Sequence, residues 1–547
     1  MTTTAAPTLP PATAVAVAVE PGAGTSPWLR LAPTLVAAAL AAAYVIVAPP
    51  SIDLAADLFR AHLFRADGFV LWNNFWYGGH DTPGYSVLFP AASAAVSPQL
   101  AAALASVATA ALFERLTVRH YGPRAWAGAV LFGAATAINL YTGRLTLAFG
   151  ALPALGAVVL LDRRRTAPAC LLAAVSALCS PVAALFAAIV AAGCGVAALA
   201  ADRRIRAALP AAAVALAALA PVGLLAVAFP EGGTEPFGLA TLLPLIAIAL
   251  AALVLLPHTA VRLRAGIAVY AVATLACYVV PSPVGSNVAR LGTFLAAPLA
   301  ALVWWRRRPG LLAIAILPLL YVGWQAPVRD VATTAGDPSV SAAYYRPLLR
   351  FLGRQPGVFR IEIPLTRSHW EANWVARAYP LARGWERQLD IRDNPVFYRG
   401  RLTPGVYARW LQENAIRFVA LPDVPLDYSA EREASLIRSG LPYLRPVMRS
   451  RHWRVYAVVP PTPLASGPAT VTAISADTLT LTARAAGTSL VRVRYSPYWA
   501  LTGGAGCVAP AGAFTRVTLA RAGEVRLAIR FSLTRIGAHT PRCTAAR

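Results

Sequence analysis

Lysine is absent from all 547 residues, so the 49 basic positions are all arginine. Charge of either sign is scarce, at 13% of the chain against about 25% in a typical soluble protein. With 57% hydrophobic residues, that scarcity excludes a disordered chain and an ordinary soluble enzyme. None of the six cysteines has zinc-ligand spacing. There is no phosphate-binding glycine loop, no metalloprotease motif and no nucleophile elbow. A formal net charge of +25 suggests nucleic acid as a partner. The positions of the charges remove that reading, because in the first 326 residues they sit in short loops between apolar runs. Ala-rich, lysine-free usage is that of a GC-rich genome.

Residues 1–27 are Thr, Ala, Pro and Gly with one acid, Glu20, and predict a disordered tail. They lack the basic start of a signal peptide, so the first apolar run, Leu31–Val47, is expected to stay as an anchor. Further runs lie at 94–113, 125–141, 145–161, 167–180, 181–199, 207–229, 237–256, 265–281, 288–304 and 309–325. Most approach the ~17–25 residues that span the hydrocarbon core. Ser180-Pro181 divides one long run in two, since proline breaks the helical ladder. If every run crosses, 15 arginines fall on one side and only Arg60, Arg65, Arg144 and Arg290 on the other. Positive residues stay cytoplasmic, so the sequence predicts about eleven helices, an inner N-terminus and a tail outside from residue 327. The expected fold class is thus a polytopic α-helical membrane protein with an extracytoplasmic α/β plus β-sandwich region.

The tail changes character. It carries 30 Arg against 14 acids, a net +16. Residues 327–462 alternate helix and strand signals, with helices at Ala342–Leu352 and Val406–Asn414. Strands are expected at Val358–Ile363, Arg417–Leu421 and Trp453–Val459. Residues 463–547 predict a β-sandwich from short β-branched runs divided by Gly, Asp and Ser. Cys170, Cys179, Cys194 and Cys277 lie in apolar runs. Cys507 and Cys543 are the only two in the tail, where an outside compartment allows a disulfide.

Chemistry concentrates in the first outer loop, 50–93, which is long enough to suggest function. Its first half has helical spacing, which would let Leu54, Leu58, Phe59, Leu63 and Phe64 lie in the membrane interface as an interfacial helix with an aromatic belt, the bland reading of this loop. Asp53 and Asp57 share a helix face, and Arg60, His62 and Arg65 follow. The second half is dense in Trp72, Asn73, Asn74, Trp76, Tyr77, Gly78 and Gly79. Such rings sit at headgroup level or stack on sugars. Acids do nothing for orientation, so Asp53 and Asp57 invite another reason. The four outer arginines invite one too, because guanidinium binds phosphate bidentately while a snorkelling arginine only meets headgroups. In the tail, Ser368–Trp374 with Trp385, Glu386 and Arg387 reads as a core aromatic cluster with a surface salt bridge, or as a glycan site.

This pattern resembles the GT-C superfamily of membrane glycosyltransferases, with many helices and an acid in a long outer loop just after the first helix. Asp57, His62, Gly68, Trp72 and Tyr77-Gly78-Gly79 also resemble the bacterial membrane proteins labelled 6-pyruvoyl-tetrahydropterin synthase-related, a label that implies no pterin chemistry. The resemblance covers residues 30–330, and the tail has only a general likeness to outer domains of actinobacterial envelope proteins. It implies transfer of a sugar from a polyprenyl-phosphate donor to an envelope glycan acceptor beside membrane lipids. Asp57, or else Asp53, would be the base. Arg60, Arg65, Arg144 and Arg290 would hold lipid phosphate, and His62, Trp72, Asn73, Asn74, Trp76 and Tyr77 would bind sugar. Some relatives use a divalent metal, for which Asp53, Asp57 and Asp81 offer ligands without specific spacing. A transporter or flippase for lipid-linked glycan and a non-catalytic envelope scaffold remain open alternatives. A carrier is expected to repeat its halves, and no repeat is visible.

Overall fold

The computed structural model describes residues 27–544. Apart from Pro27, the tail expected to be disordered lies outside them. The described residues hold eight helices long and apolar enough to cross a membrane and three shorter apolar ones. They are α1 (Pro27–Val47), then, after two short loop helices, α4 (Pro98–Tyr121), α5 (Trp126–Tyr141), α6 (Leu145–Asp162), α7 (Thr166–Cys179), α8 (Pro181–Asp202), α9 (Ile205–Ala228), α10 (Leu239–Leu255), α11 (Val261–Val279), α12 (Ala289–Trp304) and α13 (Pro309–Thr334). The loop helices are α2 (Leu54–Asp67) and α3 (Phe89–Ala95). Every expected run is matched by one helix.

Sequence explains where these helices stop. Ser180 is extended (φ −160°, ψ 117°), and its hydroxyl accepts from the Ala183 amide, so it ends α7 and caps α8. Pro181 occupies the first turn of α8, where its missing N–H costs nothing. Small residues let helices meet closely; a Cβ on Gly193 would stand 2.6 Å from the Gly266 backbone. The last helix differs from expectation. α13 runs to Thr334, past the end of the apolar run, and its Thr334 hydroxyl donates to the Pro50 carbonyl at 2.7 Å.

Both ends of the bundle agree with the alternating topology. At one end Asp162 accepts from His120 and Arg262 at 2.9 and 3.3 Å and pairs with Arg119 at 3.3 Å, all at helix ends on the arginine-rich side. At the other end the loops assigned to the arginine-poor side meet. Val87 and Leu88 donate to the Leu178 carbonyl, Glu235 to Ser282, and a Cβ on Gly143 would stand 2.3 Å from the Ser51 hydroxyl. The tail sits on that same end.

The α/β unit of the tail comprises α14 (Ala342–Leu352), β3 (Arg360–Glu362), α15 (Glu371–Trp374), α16 (Arg387–Asp393), α17 (Pro404–Glu413), β4 (Ile416–Pro422), α18 (Glu431–Arg438), β5 (Leu444–Arg449) and β6 (Trp453–Val458). Its sheet has the order β3-β4-β6-β5, with β3 and β4 parallel. The sandwich that follows stacks a five-stranded sheet on a four-stranded one around Leu479, Leu481, Val491, Val517 and Leu527. Cys507 and Cys543 lie opposite each other on neighbouring strands and form a disulfide.

Loop 50–93 is not an interfacial helix with an aromatic belt. Phe59 and Leu63 of α2 join Trp76 and Tyr77 in one core with Tyr345, Leu348 and Ile361 of the tail. Burying that face under the tail removes it from lipid. β1 (Trp72–Asn73) and β2 (His80–Asp81) form a small hairpin closed by Tyr77, Gly78 and Gly79, all at positive φ. Gly79 has φ +120°, and a Cβ there would stand 2.4 Å from the Trp72 ring. Gly79→Ala is therefore expected to cost at least about 2 kcal/mol, from backbone strain and overpacking together. A thermal melt of the purified protein checks this, and an unchanged melting temperature refutes it.

Candidate active site at the junction of bundle and tail

α2 lies over the arginine-poor end of the bundle, and its residues three apart turn Asp57 and Arg60 inward. Asp57 is 1% exposed, and neither carboxylate oxygen has a hydrogen-bond partner among the described residues. It faces the N-terminus of α6, where the Leu145 and Thr146 amides favour its charged form without closing a hydrogen bond. Burial wins over those amides and over Arg60, and it pushes the Asp57 carboxyl up to about 7.

Arg60 reaches from α2 into the tail. Its Nη2 meets Glu386 Oε1 at 2.5 Å, and its guanidinium lies 3.5 Å from the Tyr85 ring centroid. Burial and nearby Glu231 push the Glu386 carboxyl up. Yet Arg60 donates to one oxygen and Gln388 Nε2 to the other at 3.0 Å, a geometry that holds Glu386 as the carboxylate.

Two other arginines keep free donors. Arg144 precedes α6, and its Nε donates to Asp53 Oδ2 at 3.3 Å, leaving both terminal nitrogens unused among the described residues. Gly143 (φ +74°) sets that approach, since a Cβ there would collide with Ser51 and the Leu54 amide. Arg290 opens α12 within the field of Arg144, Asp53, Tyr85 and Glu235, and joins no salt bridge among the described residues. Asp330 of α13, 6% exposed, lies near Asp53 and Arg144. The structure thus gathers Asp53, Asp57, Arg60, Arg144 and Arg290.

It sends the other candidates elsewhere. Arg65 is exposed and donates to the Ser93 and Ala94 carbonyls at 3.0 and 3.3 Å, bracing α3. His62 lies on another face of α2, near Arg377 and Asp67. The expected sugar binders are committed to structure. Trp72 donates to Asn74 Oδ1 at 2.8 Å and Asn74 to the Ser475 carbonyl at 2.9 Å. Trp76 donates to Ala372 at 3.0 Å and Tyr77 to the Glu386 carbonyl at 2.9 Å. Asn73 accepts from the Phe75 amide at 2.9 Å and pairs with His80 Nε2 at 3.0 Å. Asn74, Trp76 and Tyr77 tie the loop to the tail, while Trp72 and Asn73 bond within the loop, so these polar atoms are engaged in structure. In the same way Trp370 and Trp385 donate to the Ser51 and Ile52 carbonyls at 3.2 and 2.9 Å, so the tail cluster is core aromatics with a buried salt bridge.

The expected metal ligands separate, because Asp81 lies beside Glu231 and Arg392 rather than with Asp53 and Asp57. One other group among the described residues has metal-like spacing, His80, Glu231 and Glu386, and it does not fit an ion. The Phe75 amide fixes the Asn73 carbonyl, so Asn73 donates through Nδ2 to His80 Nε2. The proton of a neutral His80 then sits on Nδ1, where it donates to Glu231 Oε1 at 2.8 Å. Burial holds His80 neutral, with a pKa lowered to about 4. Neither ring nitrogen has a lone pair to spare, and Arg60 already neutralises Glu386. Glu231, Glu235, Tyr85 and Asp330 also stand near this cluster, though none was a candidate from sequence. For the two glutamates a signal existed, since acids in a short loop of the arginine-poor side raise the same question as Asp53 and Asp57.

No protein-family model and no curated protein matches the chain. Among solved structures it is similar to the arabinofuranosyltransferase AftD from Mycobacteria, at 13% identity and TM-score 0.40, covering 94% of this chain. The chain spans 58% of that protein's length. It is also similar to ArnT from Cupriavidus metallidurans bound to undecaprenyl phosphate, at 13% identity and TM-score 0.42, covering 79% of this chain and 98% of that one. A third is the archaeal oligosaccharyltransferase AglB from Archaeoglobus fulgidus, at 13% identity and TM-score 0.33, covering 72% and 69%. With TM-scores below 0.5, the functional reading rests on this chain's own residues.

Proposed function

We propose that the chain is a polyprenyl-phosphate-sugar-dependent glycosyltransferase of the GT-C type, acting on the outer face of the cell membrane in envelope glycan assembly. The observation that carries this reading is Asp57. It is a buried carboxylate with two oxygens unused among the described residues, poised near neutrality, beside Arg60 and one turn from Asp53, to which Arg144 pairs. A general base needs a pKa near the working pH, and a departing lipid phosphate needs fixed positive charge.

In this mechanism an Asp57 oxygen takes the proton of an acceptor hydroxyl. The hydroxyl oxygen bonds to the anomeric carbon as the bond from that carbon to the phosphate oxygen breaks. The electron pair leaves with the polyprenyl phosphate, and Arg144 and Arg290 meet its charge. Arg60 pairs with Glu386 through Nη2, orients α2 and holds down the Asp57 pKa, and its buried Nη1, without a partner among the described residues, is left to meet the phosphate. The Cys507–Cys543 disulfide supports a tail outside the cytoplasm.

Purified protein supplied with a polyprenyl-phosphate-linked sugar and an envelope glycan tests the reading. Sugar transfer with release of the lipid phosphate is expected. Arg144→Gln with Arg290→Gln should lower turnover by about 10²–10³-fold, the scale of removing charge stabilisation. Movement of the intact lipid-linked sugar across the bilayer without release would favour a carrier, and neither outcome a scaffold.

A further inference from the structure

The α/β unit holds a cavity of about 320 Å³, remote in sequence from the Asp57 cluster. It opens at the carboxyl end of β4, between the end of α18 and the turn from β5 to β6. Arg438, Arg449, Arg451 and Arg454 line it with His452 and Asp423. All four arginines are exposed. At the cavity His452 Nδ1 is hydrogen-bonded to Asp423 Oδ2 at 2.9 Å. Among the described residues none of the four guanidinium groups joins a salt bridge or donates to another residue.

A solvated basic patch would explain exposure, but not the placement of these charges. Arg449 and Arg454 are direct cross-strand partners in the β5–β6 pair. Directly opposed side chains stand about 4.5–5.5 Å apart at Cβ, and like charges there destabilise a sheet. Arg451 adds a third charge within the turn, which the Ser450 amide closes on the Trp453 carbonyl at 2.9 Å. The turn is rigid, because Trp453 is 1% exposed and its indole donates to the Tyr344 carbonyl at 2.9 Å. Ser450 also lines the cavity, and its buried hydroxyl has no partner among the described residues. The fixed register brings two guanidinium groups to one edge of the cavity, where an anion between the two forks would neutralise both.

The geometry points to a phosphate-binding pocket at this turn. Arg449 and Arg454 flank the phosphate, Arg451 and Arg438 complete its shell, and the Ser450 hydroxyl donates to it. Guanidinium forks match phosphate oxygens, and two of them suit a doubly charged group. The ligand class is a phosphate-bearing molecule of the compartment that holds the tail, either soluble or a lipid headgroup.

Full-length protein in zwitterionic nanodiscs, titrated with inorganic pyrophosphate by calorimetry, tests this. Saturable binding is expected, weakened about tenfold or more in Arg449→Gln with Arg454→Gln. Asp57→Asn should bind as wild type does. Without ligand, the arginine double variant should melt no lower than wild type, since a repulsion is gone, so lost binding is not unfolding. Weaker pyrophosphate binding in anionic nanodiscs assigns the pocket to lipid headgroups, and unchanged binding there assigns it to soluble phosphates. No binding by wild type, full binding by the double variant, or binding abolished by Arg144→Gln with Arg290→Gln overturns the proposal.

Discussion

Asp57→Asn is expected to lower sugar transfer by about 10²–10⁴-fold, the usual contribution of a positioned base, without loss of expression or melting temperature. Asn keeps the size of the side chain and removes only its basicity. The site also escapes a destabilised charge, because burial already disfavours the carboxylate there. The pH profile supplies the sign. A base works deprotonated, and burial places this carboxyl near 7, so kcat/KM should rise as pH increases and reach half its plateau near pH 7. An exposed Asp, with its ordinary pKa of about 3.9, would give a flat profile above pH 5. A flat wild-type profile, or full activity in Asp57→Asn, would remove Asp57 from the mechanism and leave Asp53, one turn away and paired to Arg144, to be tested the same way.

The membrane frame was legible because lipid imposes a local rule: each crossing must be one apolar run of sufficient length. That is why Ser180-Pro181 located the α7–α8 break and why the arginine count sorted the loops. The end of α13 was not legible, since Gln325–Asp330 is polar enough to leave lipid yet remains helical against Pro50. In the site, local signals found Asp53, Asp57 and three of the four outer arginines, Arg60, Arg144 and Arg290. They could not give roles, because the deciding partners are distant in sequence. Glu386 lies 326 residues from Arg60 and Glu231 lies 151 from His80. The aromatic half of the loop misled for a related reason. Trp76 and Tyr77 have the composition of a sugar platform or a membrane belt, and only the tail's position shows that they are core. Composition names what a side chain is able to contact, and topology decides what reaches it.

The Arg60–Glu386 pair makes the second large effect. Their side chains are 9% and 1% exposed. Breaking a buried pair on one side costs about 3–5 kcal/mol, because a charge is left without a partner. Glu386→Leu alone should therefore lower the melting temperature sharply. Arg60→Met with Glu386→Leu should recover most of the loss, since apolar residues of similar size commonly replace buried pairs at little cost. The two states also predict opposite changes at Asp57. With Glu386 removed, Arg60 has Asp57 as its nearest remaining acid on α2, so the carboxylate gains support and the activity pKa falls below 7. With both removed, the attraction that lowers the Asp57 pKa is gone while burial stays, so the profile moves above 7. A merely structural pair would change stability and leave both profiles where the wild type has them. Melting curves with pH–rate profiles of the wild type, the single variant and the double variant separate the two roles, and coincident profiles would reduce Arg60 to a fastener between loop and tail.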